Sequence, residues 1–186
     1  MYGILGEHDS DANTLKVLVR KLVGNDSLTV KAKGYGGCGK LLKDGARDLR
    51  LFKELMLTRF IVCHDADGPD PNENRDLVME RIVRPSGLAQ DCCIVIPVQE
   101  LEAWILADIE CAPKVFGSWR PAPIPNPEGI PKPKEYIERL CYSDKPRRRY
   151  KHAVDNERMA RHLDVEKVAR KCAEFSKLRT FVRNAN

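Results

Sequence analysis

Short apolar runs alternate with amphipathic stretches through residues 1–112, and this alternation restricts the fold more than any other feature of the chain. Residues 2–6 (YGILG), 27–33 (SLTVKAK), 58–64 (TRFIVCH) and 91–97 (DCCIVIP) read as strands. Residues 11–23, 39–55 and 73–83 carry apolar positions at helical spacing, and 99–108 follows the last strand as a further helix. The pattern predicts an α/β fold: a mainly parallel sheet of about four strands with helices on both faces. Ser10 or Asp11 is placed to cap the first helix and Gly24 to stop it.

Acidic residues cluster where three of the strands end: Glu7 and Asp11 in GEHDSD, Asp65 and Asp67 in HDADG, Glu100 and Glu102 in VQELEAW. In an α/β fold, the carboxyl ends of neighbouring parallel strands meet at one crevice. Carboxylates gathered there repel one another unless a cation lies between them. Hard oxygen donors with no thiolate or imidazole set beside them favour Mg²⁺ or Mn²⁺ over zinc. The expectation is a metal-dependent enzyme acting on a phosphate substrate. Gly68 is placed to let the chain turn after Asp67. At a spacing of two, Glu100 and Glu102 cannot share a helix face, and Glu102 is the better candidate for the crevice. Trp104, with Leu101, Ile105 and Leu106, reads as core.

Composition narrows the field. No apolar run in the 186 residues reaches the length of a membrane span, and MYGILGEHDSD has no signal-peptide pattern, so the cytoplasm is the expected location. Seven cysteines without a CxxC pair and four scattered histidines read as buried small hydrophobes and ordinary side chains, not a zinc site. Cys92 and Cys93 should point to opposite sheet faces. The net charge of +5 is unevenly spread. Residues 1–112 hold 14 Lys and Arg against 18 Asp and Glu, a net −4, whereas residues 113–186 hold 18 against 9, a net +9. Residues 1–112 thus form an α/β metal-binding core. The proline-rich residues 113–132 are either a linker or a loop wrapped over it. Residues 133–186 are a basic helical extension packed on the core, and a polyanion is the expected partner.

GYGGCGK, residues 34–40, matches G-x-x-x-x-G-K after a strand. Leu41 stands where a P-loop needs Ser or Thr, so a backbone nest for a substrate phosphate, with Lys40 beside it, is the better reading.

Glu7 followed by Asp65-x-Asp67, with strand–helix alternation between them, resembles a TOPRIM domain. The form Glu7-His8-Asp9-Ser10-Asp11 is closest to that of the overcoming-lysogenization-defect (OLD) nucleases. ELEAWILAD at 100–108 and the tail at 172–178 resemble a family of small stand-alone TOPRIM-like proteins, so the likeness spans nearly the whole chain. His8 replaces the glycine of the OLD pattern, and the ATPase domain of the larger OLD proteins has no counterpart. The resemblance implies a nuclease of an anti-phage defence unit with a separate ATPase partner.

The resulting expectation is specific. Asp65 and Asp67 bind one Mg²⁺, Glu7 and Asp11 bind a second, and Glu102 completes the shell; with one ion, Glu7 is a general base instead. Lys151 or Lys145 neutralises the phosphorus centre. Arg147, Arg148 and Arg149 hold the nucleic-acid backbone, DNA or RNA, without sequence preference. A homo-oligomer is compatible with the sequence. Two other classes fit: a non-catalytic regulatory subunit that binds metal or nucleotide and docks on an ATPase, and a P-loop-like phosphotransferase.

Overall fold

The computed structural model of the protein describes residues 1–145 and 148–184. Four five- or four-residue strands, β1 (Tyr2–Gly6), β2 (Val30–Gly34), β3 (Arg59–Cys63) and β4 (Cys92–Val95), form one sheet in the order β2-β1-β3-β4. Every pair is parallel, with Ile4 opposite Ala32 and Ile61, and Val62 opposite Ile94. The expected α/β class with a parallel four-stranded sheet is what the chain adopts, an architecture consistent with a TOPRIM-like fold. β1, β3 and β4 read correctly from sequence because burial of the central sheet demands near-continuous apolar runs; β2, at the edge with Lys31 and Lys33 exposed, begins at Val30 rather than Ser27.

One face of the sheet carries Leu5, Phe60, Val62, Ile94 and Ile96 against α2 (Cys38–Glu54), α3 (Asn72–Val78) and the helical turns that follow it. That helical segment passes through a π-turn, Met79–Val83, into α4 (Arg84–Ser86); Pro85 has no N–H for an ordinary helical bond there. The other face carries Tyr2, Ile4, Ile61, Cys63 and Val95. It packs on α1 (Asp9–Val23), α5 (Glu102–Ala107) and the C-terminal helices α7 (Pro133–Asp144), α8 (His152–Ala160), α9 (Val165–Lys171) and α10 (Ala173–Arg183). Cys92 and Cys93 fall in opposite cores, as strand alternation requires. Every residue of α5 is buried, and Trp104 meets Phe175 of α10 edge-to-face at 5.1 Å. Apart from Glu102 its residues are apolar, and a helix buried on every side is a core helix.

The proline-rich stretch is a wrapped loop. It opens with a short helix, α6 (Pro113–Phe116), and then seats Trp119, Pro121 and Pro127 in the interior. Trp119 Nε1 donates to Asp144 of α7 at 2.8 Å. The free edge of β4 is covered by side chains: Arg75 donates to the Ile94 carbonyl at 2.9 Å, and the Ile96 amide donates to Glu174 at 3.2 Å. Arg75 and buried Glu174 pair at 2.5 Å, so α10 is tied to the sheet edge. No helix among the described residues is long and apolar enough to cross a membrane.

Candidate functional site

The acids converge at the carboxyl end of the sheet. Glu7 leaves β1 and is buried, and its Oε1 accepts the Asp65 amide at 2.8 Å. The same oxygen lies 3.1 Å from His64 Nδ1, which is also 2.7 Å from the Asp65 carbonyl. Both neighbours are acceptors, so Nδ1 carries the proton. Asp65 is partly buried after β3, and its Oδ1 accepts the Leu101 amide at 3.1 Å. Burial first, and then the charges of Asp11, Glu102, Glu7 and Glu100, push its carboxyl well above the ordinary range. Glu7 is raised too, by burial and by Asp67 and Asp11, against the opposing pull of His64 and the Asp65 amide. Mutual repulsion therefore links residues from β1, α1, β3 and the turn after β4.

Glu102 points into this cluster, as its spacing from Glu100 suggested. It is 4% exposed, and burial lifts its carboxyl to about 7 despite a 2.9 Å hydrogen bond from Asn156 Nδ2. Tyr150 donates in turn to Asn156 Oδ1. Glu100 accepts the Lys134 amide at 2.9 Å at the start of α7. Asp11 does double duty: Oδ2 accepts the His8 amide at 2.9 Å, which closes the first turn of α1, and Oδ1 accepts from Ser10. The helix therefore begins at Asp9 with His8 in the capping position; neither Ser10 nor Asp11 is the cap. Asp67 is exposed at the rim. It adopts the left-handed φ of 51° at the turn, a role expected of Gly68. The HDADG loop is held against the next one by the Ala66 amide on the Pro97 carbonyl and the Asp67 amide on the Gln99 carbonyl, both at 3.0 Å. Asn74 caps it from α3, donating to the carbonyls of Asp65 and Ala66 at 2.9 and 3.1 Å.

Other expected residues are elsewhere or otherwise engaged. In the glycine loop the amides of Tyr35 and Gly37 both donate to the Glu7 carbonyl, at 3.1 and 2.9 Å. These amides position Glu7 and are not turned outward as a phosphate nest. Lys40 is exposed in the first turn of α2. Arg148 is paired with buried Asp155 through both guanidinium nitrogens and lies over the Phe116 ring at 4.8 Å. Arg149 donates to the Cys141 carbonyl at 3.1 Å. These two arginines hold the fold together, because a buried carboxylate and an exposed helix-end carbonyl both need a donor. Arg147 lies outside the described residues. Lys151 and Lys145 are exposed, and no contact among the described residues joins either amine to the acids. His64, Tyr150, Asn156 and Asn74 were not anticipated; only His64, beside the D-x-D, left a signal in the sequence.

The donor chemistry fits a hard divalent cation. Asp65 Oδ2 and Glu7 Oε2 make no hydrogen bond among the described residues, and the repelling carboxyls lack a counter-charge. As the side chains stand, no three His, Cys, Asp or Glu among the described residues are grouped to hold an ion.

The lifted carboxyl of Glu102 gives a stability test. Below the ordinary carboxylate range the folded and unfolded chains both hold this proton; above about 7 the fold must bury a charge. Wild-type stability from this group is therefore present at low pH and lost as pH rises through 7. Glu102→Gln keeps an oxygen for Asn156. It should raise the melting temperature near pH 8, by at most about 3 kcal/mol in stability, and leave it unchanged near pH 4. An equal shift at both pH values would refute this.

No curated protein and no solved structure matches the chain. One family model does, over residues 7–183, and its span takes in every acid of the site. With the glycine loop, the HDADG turn and the ELEAW helix all inside that match, the chain belongs to the family described as Domain of unknown function (DUF4276).

Proposed function

We propose that this protein is a Mg²⁺- or Mn²⁺-dependent nuclease of TOPRIM-like type. The observation that carries the reading is the gathering of Glu7, Asp11, Asp65, Glu100 and Glu102 at one end of a parallel sheet, where burial and then the neighbouring charges lift Asp65 well above the ordinary carboxylate range. Such a cluster is costly as a purely structural feature and is relieved by a cation.

Asp65, Glu7 and buried Asp11, with Glu102 behind them and Asp67 at the rim, are the residues that would hold the metal. A bound divalent ion would supply Lewis-acid polarisation of a phosphodiester. Glu7 Oε1 is occupied by the Asp65 amide and His64, which leaves Oε2 to orient a water or take its proton. Asn156 and Tyr150 hold Glu102 in place. The role in anti-phage defence and the ATPase partner enter this reading from the resemblance to OLD-type nucleases alone.

Calorimetric titration of Mn²⁺ tests it. The expected result is saturable binding by the wild type and none by Asp65→Ala with Asp67→Ala. The measured heat should change with the buffer's ionisation enthalpy near pH 7, because a metal must displace the proton held by Glu102, whose carboxyl burial lifts to about 7. If the folded wild type binds no ion, the nuclease reading gives way to the regulatory subunit.

A further inference from the structure

A second concentration of charge lies outside the acidic centre. A groove of about 710 Å³ runs between α1 and α8. Asn13, Lys16, Arg20 and Lys21 line it from α1, and Glu157 and Arg161 line it from the end of α8. It shares both walls with the centre. The first turn of α1 delivers Asp11 to the acids, and α8 delivers Asn156, the immediate neighbour of Glu157. From Asn13 the groove follows α1 toward Gly24, so Arg20 carries its charge about 14 Å along the helix from Asp11 at ~1.5 Å per residue.

Two of its cations are unmatched. Several positive charges of the C-terminal helices are matched within the fold (Arg148 and Arg158 on Asp155, Lys167 on Asp108 and Glu110, Lys177 on Glu174, Arg179 and Arg183 on Glu166), whereas Lys134, Arg139, Lys151 and Arg170 pair with no described carboxylate. Lys16 and Arg20 make no ion pair with any described residue; Arg20 Nε donates only to the Leu28 carbonyl, at 3.2 Å. Lys21 donates to the Arg161 carbonyl at 2.8 Å, which keeps its ammonium at the groove wall. The local field is positive: after burial, Lys114, Lys21 and Arg161 depress the proton affinity of His162, the residue after Arg161.

We propose that this groove is a phosphate track that leads one strand of nucleic acid to the acidic centre, an inference that rests on the nuclease reading above. Its volume lies in the range of small-ligand sites, enough for a few nucleotides of a single strand. No aromatic side chain lines it, so bases have no stacking platform and the grip is on phosphates, without sequence preference. The net +9 of residues 113–186 pointed to the C-terminal half as the polyanion surface; Lys16 and Arg20 add unpaired cations on α1, in the half whose net charge is −4.

The test is fluorescence anisotropy with a labelled oligothymidylate in EDTA, over a salt series. Lys16→Glu with Arg20→Glu should weaken binding about tenfold or more. Lys16→Ala with Arg20→Ala should reduce the slope of log affinity against log salt by about 1.4, at ~0.7 per lost contact for a single strand. Lys43→Glu with Lys53→Glu, on α2 across the sheet, is the charge-matched control and should bind as the wild type does; melting curves check the fold of every variant. Unchanged affinity in both α1 variants, equal weakening in the control, or binding of thymidine monophosphate as tight as that of the oligomer would each overturn the track. Asp65→Asn separates the two readings. If the wild type cleaves and Asp65→Asn does not, while the α1 variants bind and cleave normally, the nuclease stands and the track falls. If the wild type binds no polynucleotide, the track falls; metal titration then decides the centre on its own.

Discussion

Asp65→Asn is expected to abolish metal-dependent phosphodiester cleavage, by about 10³-fold or more, while leaving the protein folded. The folded state is preserved because the asparagine Oδ1 can still accept the Leu101 amide, the bond that holds the HDADG turn to the start of α5. What disappears is the charge at the point where Asp11, Glu102, Glu7 and Glu100 all press. The same substitution should stabilise the metal-free protein. Asp65 holds its proton more tightly in the fold than in the unfolded chain, so the wild type loses stability as pH rises and the variant does not. The gap in melting temperature should therefore widen toward alkaline pH. Nuclease assays with Mn²⁺ and thermal melts over a pH series check both halves. Cleavage at the wild-type rate would remove Asp65 from the chemistry.

Gly34→Ala should damage both fold and site, with a stability loss of about 3 kcal/mol. A Cβ at this position would lie 2.2 Å from the Asp9 nitrogen and 2.3 Å from the His8 carbonyl carbon. Both are backbone atoms at the start of α1, where the Gly34 amide also donates to Asp9 at 3.1 Å. No side-chain rotation relieves the clash, so either β2 or the N-terminus of α1 must move. That N-terminus carries Asp11, and the chain one and three residues beyond Gly34 brings the amides that hold Glu7. Denaturant unfolding together with Mn²⁺ titration measures the two losses. Ala at Gly36, where no atom lies within 4 Å but φ is 70°, is a control in which only backbone strain acts.

The fold was legible because each signal was local. Buried central strands had to be apolar runs, Gly24 had to take the left-handed cap, and α5 announced itself by the unbroken apolar run after Glu102. The convergence of Glu7, Asp65 and Glu102 was legible for a related reason, since strand ends in a parallel sheet share one rim. The supporting residues were not, because their roles depend on tertiary partners. Asn156 lies 54 positions from Glu102, and nothing near it in sequence marks it as a donor to a buried carboxyl. Charge counting failed in the same way. Arg148 and Arg149 read as a basic grip, yet a count of charges does not reveal that Asp155 and the Cys141 carbonyl were waiting for them. The glycine loop misled because a motif records residues and not where amides point; here they turn inward to the Glu7 carbonyl.

The cover of the sheet has a consequence for how the protein is made. All four strands have been synthesised by Val95, but the helices that seal one face, including α10 against Tyr2 and Arg59, arrive only with residues 133–183. While the later half is being translated, Ile4, Ile61, Cys63 and Val95 wait without their final neighbours. Native contacts here join residues up to 180 positions apart, which favours slow closure and a sticky half-built intermediate. Asn156 and Tyr150 come late as well, so a nascent chain holds the buried Glu102 before it can set it.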